Sequence, residues 1–166
     1  MMKTKTLFLS GMLLLAPAAN AEEGLVSYRA LTPALATKLA QATLAACQQA
    51  GYQVAVAVTD RFGLTQALIR DRYAGAHTIE TATRKAWTAA SFNTDTLDMM
   101  NETAAGKPQS GVRFVSQAMM VGGGVRVEAG GSLVGAVGVS GAPGGDKDHE
   151  CAEAGLAAIE EDLAFL

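Results

Sequence analysis

Four polar residues between positions 77 and 88 have types and spacings that suit ligand chemistry. His77, Thr81, Lys85 and Thr88 follow at intervals of four, four and three residues, so on a helix they share one face. An imidazole can ligate iron, and Lys85 or the neighbouring Arg84 can pair with a carboxylate. The pattern predicts an outward-facing ligand surface, and the alternative is a solvated helix face with a histidine near its start.

Two pairs of carboxylates lie within single helical turns. Glu150 and Glu153 are three residues apart, as are Asp95 and Asp98, so a hard cation could bridge either pair. Such pairs are also common on exposed helix faces. The sequence offers Glu150 and Glu153 as a candidate surface iron site, to which the adjacent His149 adds little.

Two glycine-rich segments, 122–124 and 141–146, are conspicuous. The second precedes a predicted helix, whose free N–H groups can bind an anion, although Asp146 would oppose one there. The phosphate-loop pattern Gly-x-x-x-x-Gly-Lys-Ser/Thr is absent, as is the nucleophile pattern Gly-x-Ser-x-Gly. Tight turns and close backbone contacts are the alternative use of these glycines, and no catalytic residue is assigned.

The elements that position these groups follow from hydrophobic periodicity and from Gly and Pro punctuation. We predict helices over 33–50, 78–91, 95–105 and 147–163, and strands over 52–59, 64–70, 119–121, 125–128 and 133–140. The first strand alternates valine and alanine, so both of its faces are apolar and buried. The order α-β-β-α-α-β-β-β-α predicts an α+β sandwich, an antiparallel five-stranded sheet flanked by helices.

Local patterns add detail to the helices. Thr32 and Pro33 begin the first helix, Asn93 or Thr94 caps the third, and Asp146 caps the last. The apolar stripe of the second helix is predicted to comprise Ile79, Ala82, Ala86 and Ala89. That of the last helix comprises Ala152, Leu156, Ile159 and Leu163.

The first 21 residues have the pattern of a secretory leader. Lys3 and Lys5 precede an apolar run over 7–16, and Ala19-Asn20-Ala21 has the form of a signal-peptidase site. The alternative, a membrane anchor, would need ~20 apolar residues. We predict cleavage after Ala21, a periplasmic or secreted product without a membrane span, a loose lead over 22–30, and one domain over 31–166.

The composition is that of a folded domain. Of 166 residues, 49% are hydrophobic and 17% charged, which excludes extensive disorder. Removing a leader with two lysines takes the formal net charge from −3 to −5, and no basic run remains, so a nucleic-acid surface is excluded. Aromatic residues are only 5%, so the core must consist of small aliphatic side chains with closely packed backbones.

The two cysteines, Cys47 and Cys151, both lie in the predicted mature chain. In an oxidising compartment they can form a disulfide that ties the first helix to the last. The alternative is two buried, unpaired thiols.

Five segments together resemble the GlcG/HbpS family of haem-binding-type proteins. Val-Ala-Val-Ala-Val-Thr-Asp-Arg-Phe-Gly is similar to a strand and turn of the family, and Ala-Thr-Arg-Lys-Ala-Trp-Thr-Ala-Ala to its Lys-containing helix. The five segments are 54–63, 82–90, 122–125, 135–141 and 151–155. Arg126 stands where the family usually has proline, so the loop there is expected to differ.

The resemblance implies a profilin-like α/β sandwich that assembles into homo-oligomers from dimers to octamers. It implies haem, or a related tetrapyrrole, as the cofactor of some exported members, with roles in haem or iron sensing or storage. The implied haem-binding residues here are His77, Thr81, Arg84, Lys85, Thr88 and Thr94. His77 is the candidate axial iron ligand with the three threonines as rivals, and Arg84 and Lys85 are the candidate propionate partners.

Two other functions stay open at this stage. One is an interaction module that docks on an exported sensor protein. The other is an enzyme that acts on a small organic acid through Lys85 and the glycine-rich rim, and it would need an acid and a base in one pocket.

Overall fold

The structure, a computed structural model, describes Gly24 and residues 26–164, so the predicted leader lies outside it. The helices are α1 (Pro33–Gln49), α2 (Thr78–Phe92), α3 (Thr96–Glu102), α4 (Gly145–Ala157) and α5 (Glu160–Ala164), with a short 3-10 helix at Ser110–Phe114. The strands are β1 (Ala55–Asp60), β2 (Thr65–Arg70), β3 (Gly124–Ala129) and β4 (Ser132–Ser140). None of the described helices has the length and apolarity that crossing a membrane requires.

The described strands form one antiparallel sheet in the order β2-β1-β4-β3, which confirms the α+β class. The sheet has four strands, so the prediction of five was wrong. Residues 119–121 are not a strand, because the Met119 N–H donates to the Thr88 hydroxyl at 2.9 Å and pairs with no strand. The positive φ of 114° at Gly123 then turns the chain into β3.

Strand β1 is buried on both faces, as its composition predicted. Val54, Val56 and Val58 face the core shared with α1 and α4, while Ala55 and Ala57 face α2. On the α2 side the contacts are between alanines and glycines. A Cβ on Gly138 would overlap the α2 backbone, so glycine there allows the helix to approach the sheet closely.

Helix α1 begins as predicted, with the Thr32 hydroxyl accepting a hydrogen bond from the Leu35 N–H at 3.2 Å. The prediction that Asn93 or Thr94 caps α3 was wrong. Asn93 ends α2 in the left-handed region (φ 49°), and Asp95 precedes α3 as its N-cap. Helix α3 ends at Glu102 rather than 105, and Arg113 donates to the carbonyl of Met100 at 2.8 Å near that end.

The predicted last helix is two helices, and it begins two residues earlier than expected. Gly144, not Asp146, is the N-cap of α4. The chain turns after Ala157, and this turn places Ile159, only 1% exposed, in the core before α5 begins. In α2 the alanines of the predicted stripe are buried, but Ile79 is 38% exposed and was wrongly included.

A disulfide joins Cys47 of α1 to Cys151 of α4, with their Cα atoms 5.3 Å apart. Both residues are buried in the larger core cluster. The pairing predicted from the composition is confirmed, and it links the two helices that cover one face of the sheet.

Candidate functional site

A cleft of about 540 Å³ opens beside the first half of α2. Its size is within the range of ~300–1,000 Å³ usual for small-molecule and cofactor sites. Three parts of the chain form its walls: the loop after α1, the loop before α2, and the glycine-rich loop between β4 and α4. The lining residues are Gly51, Tyr52, Gln53, Tyr73, Ala74, Gly75, His77, Thr78, Thr81, Lys85, Val121, Ser140, Gly141, Ala142, Pro143, Gly144, Gly145 and Asp148.

The histidine of the predicted ligand surface lies at the rim of this cleft. His77 is exposed and immediately precedes α2. Its ring occupies space that glycine leaves free, because a Cβ on Gly75 would lie 2.7 Å from the His77 Cε1. Thr81, one turn further along, lines the same cleft and donates its hydroxyl hydrogen to the His77 carbonyl at 3.0 Å. The imidazole and the Thr81 hydroxyl therefore border one cavity.

Lys85 lies at the floor of the cleft and is 1% exposed, so the prediction that its ammonium faces outward was wrong. Its Nζ donates to Asp148 Oδ2 at 2.6 Å and to the Val139 carbonyl at 3.0 Å. The other carboxylate oxygen of Asp148 accepts from the Ala142 N–H at 2.9 Å. A buried charge requires such a partner, and here one ion pair joins α2, β4, α4 and the glycine-rich loop.

Burial shifts the pKa values of Lys85 and Asp148 in opposite directions. It lowers the pKa of the Lys85 ammonium from 10.5, against the attraction of Asp148. It raises the pKa of the Asp148 carboxyl from 3.8, against the attraction of Lys85 and the hydrogen bonds from the loop. The two pKa values thus lie closer together than in water, so moving a proton from lysine to carboxylate costs less free energy.

The first glycine-rich segment makes room for this pair. A Cβ on Gly123 would lie 2.6 Å from the Asp148 Cβ and 3.0 Å from the Lys85 Nζ. On the other side, a Cβ on Gly122 would lie 2.7 Å from the Gly145 carbonyl oxygen. The segment therefore packs its backbone directly against the start of α4, as the geometric interpretation of these glycines predicted.

Sequence reasoning missed Asp148. A signal was present, because Asp148 precedes the buried residues Ala152 and Gly155 at four and seven residues and so lies on the apolar stripe of α4. A carboxylate on such a stripe indicates a buried partner. Its partner lies 63 residues earlier in the chain, beyond the reach of local spacing.

The remaining predicted haem-binding residues do not line the cleft. Arg84 donates to the carbonyls of Gln117 and Ala118 at 3.1 and 3.0 Å. Thr88 is fully buried and donates to the Arg84 carbonyl at 2.7 Å. Thr94 follows the end of α2 and donates to the Phe92 carbonyl at 3.1 Å. The structure thus brings together His77, Thr81 and Lys85 of the six.

Glu150 and Glu153 are exposed on α4 and each has a basic neighbour. Glu150 accepts from Lys147 at 2.6 Å, and His149 lies 3.4 Å from Glu153. Asp95 accepts from the backbone and side chain of Arg126, both at 3.0 Å. Within the part of the chain that the structure describes, no group of three or more His, Cys, Asp or Glu residues could hold a metal ion.

Solved structures that resemble this chain share its architecture. A double mutant of HbpS from Streptomyces reticuli is 36% identical, with a TM-score of 0.78 over 88% of this chain and 98% of that chain. The structure described as the PduOC:heme complex is 28% identical, with a TM-score of 0.73 over 78% of this chain and 95% of that one. Klebsiella pneumoniae ORFY, at 24% identity and a TM-score of 0.80 over 85% and 98% of the two chains, shares the fold.

No curated protein sequence matches the chain. The family model described as "Haem degrading protein HbpS-like" matches residues 31–157, which include the cleft and the buried ion pair. Together with the 36% identity to HbpS over nearly its whole length, this match confirms the resemblance noted in the sequence. The chain therefore belongs to the HbpS-like family.

Proposed function

We propose that this chain is an exported protein that binds haem or a related tetrapyrrole in the cleft beside α2. The observation that carries the proposal is the position of His77, whose exposed imidazole stands at the rim of a cavity of about 540 Å³. A neutral imidazole is a common ligand of haem iron. The family description and the haem complex of PduOC support the choice of ligand.

The donor set of the cleft fits a porphyrin. Tyr52 and Tyr73 offer aromatic surface, and Val121 and Pro143 offer aliphatic surface. Cofactor sites are largely apolar with a few placed polar groups, and here the polar groups at the rim are His77 and Thr81. When bound, haem would supply redox and ligand-binding chemistry at its iron, while the chain orients it and limits its exposure to water.

The assignment of His77 as axial ligand has one rival within the cleft. Thr81 lines the same cavity, whereas Thr88 and Thr94 do not. Pairing of haem propionates with Arg84 and Lys85 stays a prediction. Each already has partners, and Lys85 would act through the shape of the cleft floor rather than by direct exposure.

Export, assembly and physiological role complete the proposal. The leader pattern over residues 1–21 and the Cys47–Cys151 disulfide are both typical of an oxidising compartment outside the cytosol. The resemblance to the GlcG/HbpS family favours a homo-oligomer, from a dimer to an octamer, that senses or stores haem or iron. The proposal also includes an exported sensor protein as a partner. It further includes surface iron bound at Glu150 and Glu153.

A second candidate function has a specific observation in its favour. An enzyme acting on a small organic acid would need an acid and a base in one pocket, and Lys85 with Asp148 provides such a couple at the cleft floor. Turnover of small hydroxy or keto acids that is lost in Lys85→Met would favour this function. Binding of haemin by the same variant with unchanged affinity would separate the two activities.

A haemin titration of residues 22–166, followed by visible absorption, tests the main proposal. We expect saturation at one haemin per subunit and a shifted Soret band. The spectrum should change in His77→Ala and not in His149→Ala, the matched control, because His149 is the other histidine and does not line the cleft. A non-saturating response would overturn haem binding, and an unchanged His77→Ala would transfer the axial role to Thr81.

A further inference from the structure

We propose that the Cys47–Cys151 disulfide is a redox-sensitive clamp on the cleft, so that its reduction loosens the cleft and weakens ligand binding. This inference rests on the proposed function and adds its regulation. The bond connects two elements that each lead into a wall of the cleft: α1 with the loop after it, and α4 with the loop before it.

On the first wall, Cys47 lies in the last turn of α1 and is fully buried. Its carbonyl oxygen accepts a hydrogen bond from the Tyr52 N–H at 2.9 Å. Tyr52 and Gln53 line the cleft directly. A movement of Cys47 is therefore transmitted to this wall through this hydrogen bond and the short chain segment between the two residues.

On the second wall, Cys151 lies three residues after Asp148, one helical turn along α4. Asp148 holds both the Lys85 ammonium at the cleft floor and the Ala142 N–H of the glycine-rich loop. Cys151 is thus on the same rigid turn as the residue that organises this wall. A shift of α4 would move the floor and the loop together.

The two walls touch each other. Behind them, the contact between α1 and α4 contains a buried hydroxyl group without a partner among the described residues. A Cβ on Gly141 would lie 2.5 Å from the Gln53 carbonyl oxygen, so the loops touch through backbone atoms. Behind them Thr43 of α1 packs against Gly155 of α4, and the Thr43 hydroxyl is buried without a hydrogen-bond partner among the described residues. A buried unsatisfied hydroxyl weakens this contact, so the covalent bond contributes more to holding the walls together.

Opening the Cys47–Cys151 disulfide requires a dithiol reductant. A thiolate of the reductant attacks one sulfur, the S–S bond breaks, and two electrons and two protons pass to the cysteines. The products are two protein thiols and the reductant's own disulfide. Because Cys47 is fully buried and Cys151 is 4% exposed, attack requires the helices to separate locally. A ligand that binds the oxidised protein more tightly must therefore also make reduction less favourable at equilibrium, by reciprocal linkage.

The first test measures haemin affinity of the oxidised protein and of the Cys47→Ser/Cys151→Ser variant. We expect the variant to bind at least about fivefold more weakly, as for a typical allosteric coupling. The matched control is Lys38→Ala, which breaks the Lys38–Asp162 contact of 2.7 Å at the other end of α1 and should leave the affinity unchanged. Equal affinities of the oxidised protein and the variant would overturn the proposal.

The second test needs no ligand and separates the two proposals. Amide hydrogen exchange of residues 141–148 is compared in the oxidised protein and in protein reduced by dithiothreitol, with the β1–β2 hairpin as internal reference. We expect reduction to accelerate exchange in 141–148 by a larger factor than in the hairpin, whose acceleration reports the global loss of stability. Acceleration in 141–148 no greater than in the hairpin overturns the clamp whatever haemin does, and it also decides the case if the serine variant does not fold.

If the oxidised protein binds no haemin, the proposed function fails and exchange alone decides whether the disulfide holds the cleft. If exchange in 141–148 rises but reduced wild type, freed of reductant under nitrogen, binds haemin as tightly as oxidised protein, regulation of binding is overturned and haem binding stands.

Discussion

The Nζ of Lys85 lies 2.6 Å from Oδ2 of Asp148, and both side chains are at most 5% exposed. This contact joins the cleft floor to the start of α4 and to the glycine-rich loop. A buried ion pair adds little net stability over an apolar pair of the same volume, but breaking it leaves a charge without a partner. Its presence at the floor of the cleft is therefore better explained by the site than by a gain in stability.

Removal of the lysine should be strongly destabilising. Lys85→Met leaves the Asp148 carboxylate buried alone, and we expect the free energy of unfolding to fall by about 3–5 kcal/mol. The double variant Lys85→Met/Asp148→Asn should lose about 0.5–3 kcal/mol less than the sum of the losses in Lys85→Met and in Asp148→Asn. Urea unfolding followed by circular dichroism measures both.

The control for that series is the exposed Lys38–Asp162 pair, whose side chains are 55% and 38% exposed. Lys38→Ala should cost less than about 1 kcal/mol. A Lys85→Met variant no less stable than Lys38→Ala would contradict the importance of the buried pair.

The pair should also give the stability a characteristic pH dependence. The folded-state pKa of Asp148 is raised, so the folded protein holds the extra proton and loses this stabilisation as pH rises above 3.8. The folded-state pKa of Lys85 is lowered, so below that pKa the burial cost is fully present, and stability returns as pH rises towards 10.5. Relative to Lys85→Met/Asp148→Asn, wild type should therefore be least stable between these limits. A pH-independent difference in unfolding free energy would contradict this.

Gly123 should tolerate no side chain. In Gly123→Ala the new Cβ would lie 2.6 Å from the Asp148 Cβ, at a φ of 114° that L-residues rarely adopt. We expect a loss of at least about 1 kcal/mol in unfolding free energy. Gly131→Ala is the matched control, because its φ is also positive at 74° while no atom lies within 4 Å of the added Cβ. Equal losses in the two variants would show that backbone strain alone matters, without crowding of the ion pair.

The disulfide should contribute strongly to global stability in addition to any effect on the cleft. It closes a loop with a sequence separation of 104, for which the chain-entropy model gives about 4–5 kcal/mol. Urea unfolding of the oxidised protein and of the Cys47→Ser/Cys151→Ser variant measures this difference. A change below about 1 kcal/mol would indicate that the native helix contact is strained by the bond or persists without it.

Patterns that depend on neighbours in the sequence predicted much of the fold. The valine and alanine alternation of β1 identified a strand buried on both faces, and Thr32 with Pro33 placed the start of α1. The cysteine pair followed from composition, because the sequence contains only two cysteines. The family resemblance followed from five short segments, each of which keeps its own local structure.

The site depended on what lies across the fold. Spacing grouped His77, Thr81 and Lys85 on one helix face, and the cleft does collect them. Helical periodicity cannot show whether another element covers a face, so it predicts an exposed Lys85 although Asp148 of α4 contacts it. Similarly, the apolar run 119–121 predicts a strand, but none of the described strands pairs with it.

What the sequence by itself determined is therefore the helices, most strands, the cysteine pair and the family. Only the tertiary structure decided that the lysine is buried, that its partner is an aspartate 63 residues away, and that the two glycine-rich segments enclose this pair. The physical reason is that local propensity acts over a few residues. The burial of a charge depends instead on other elements, which must supply an oppositely charged partner and glycines that leave room for the pair.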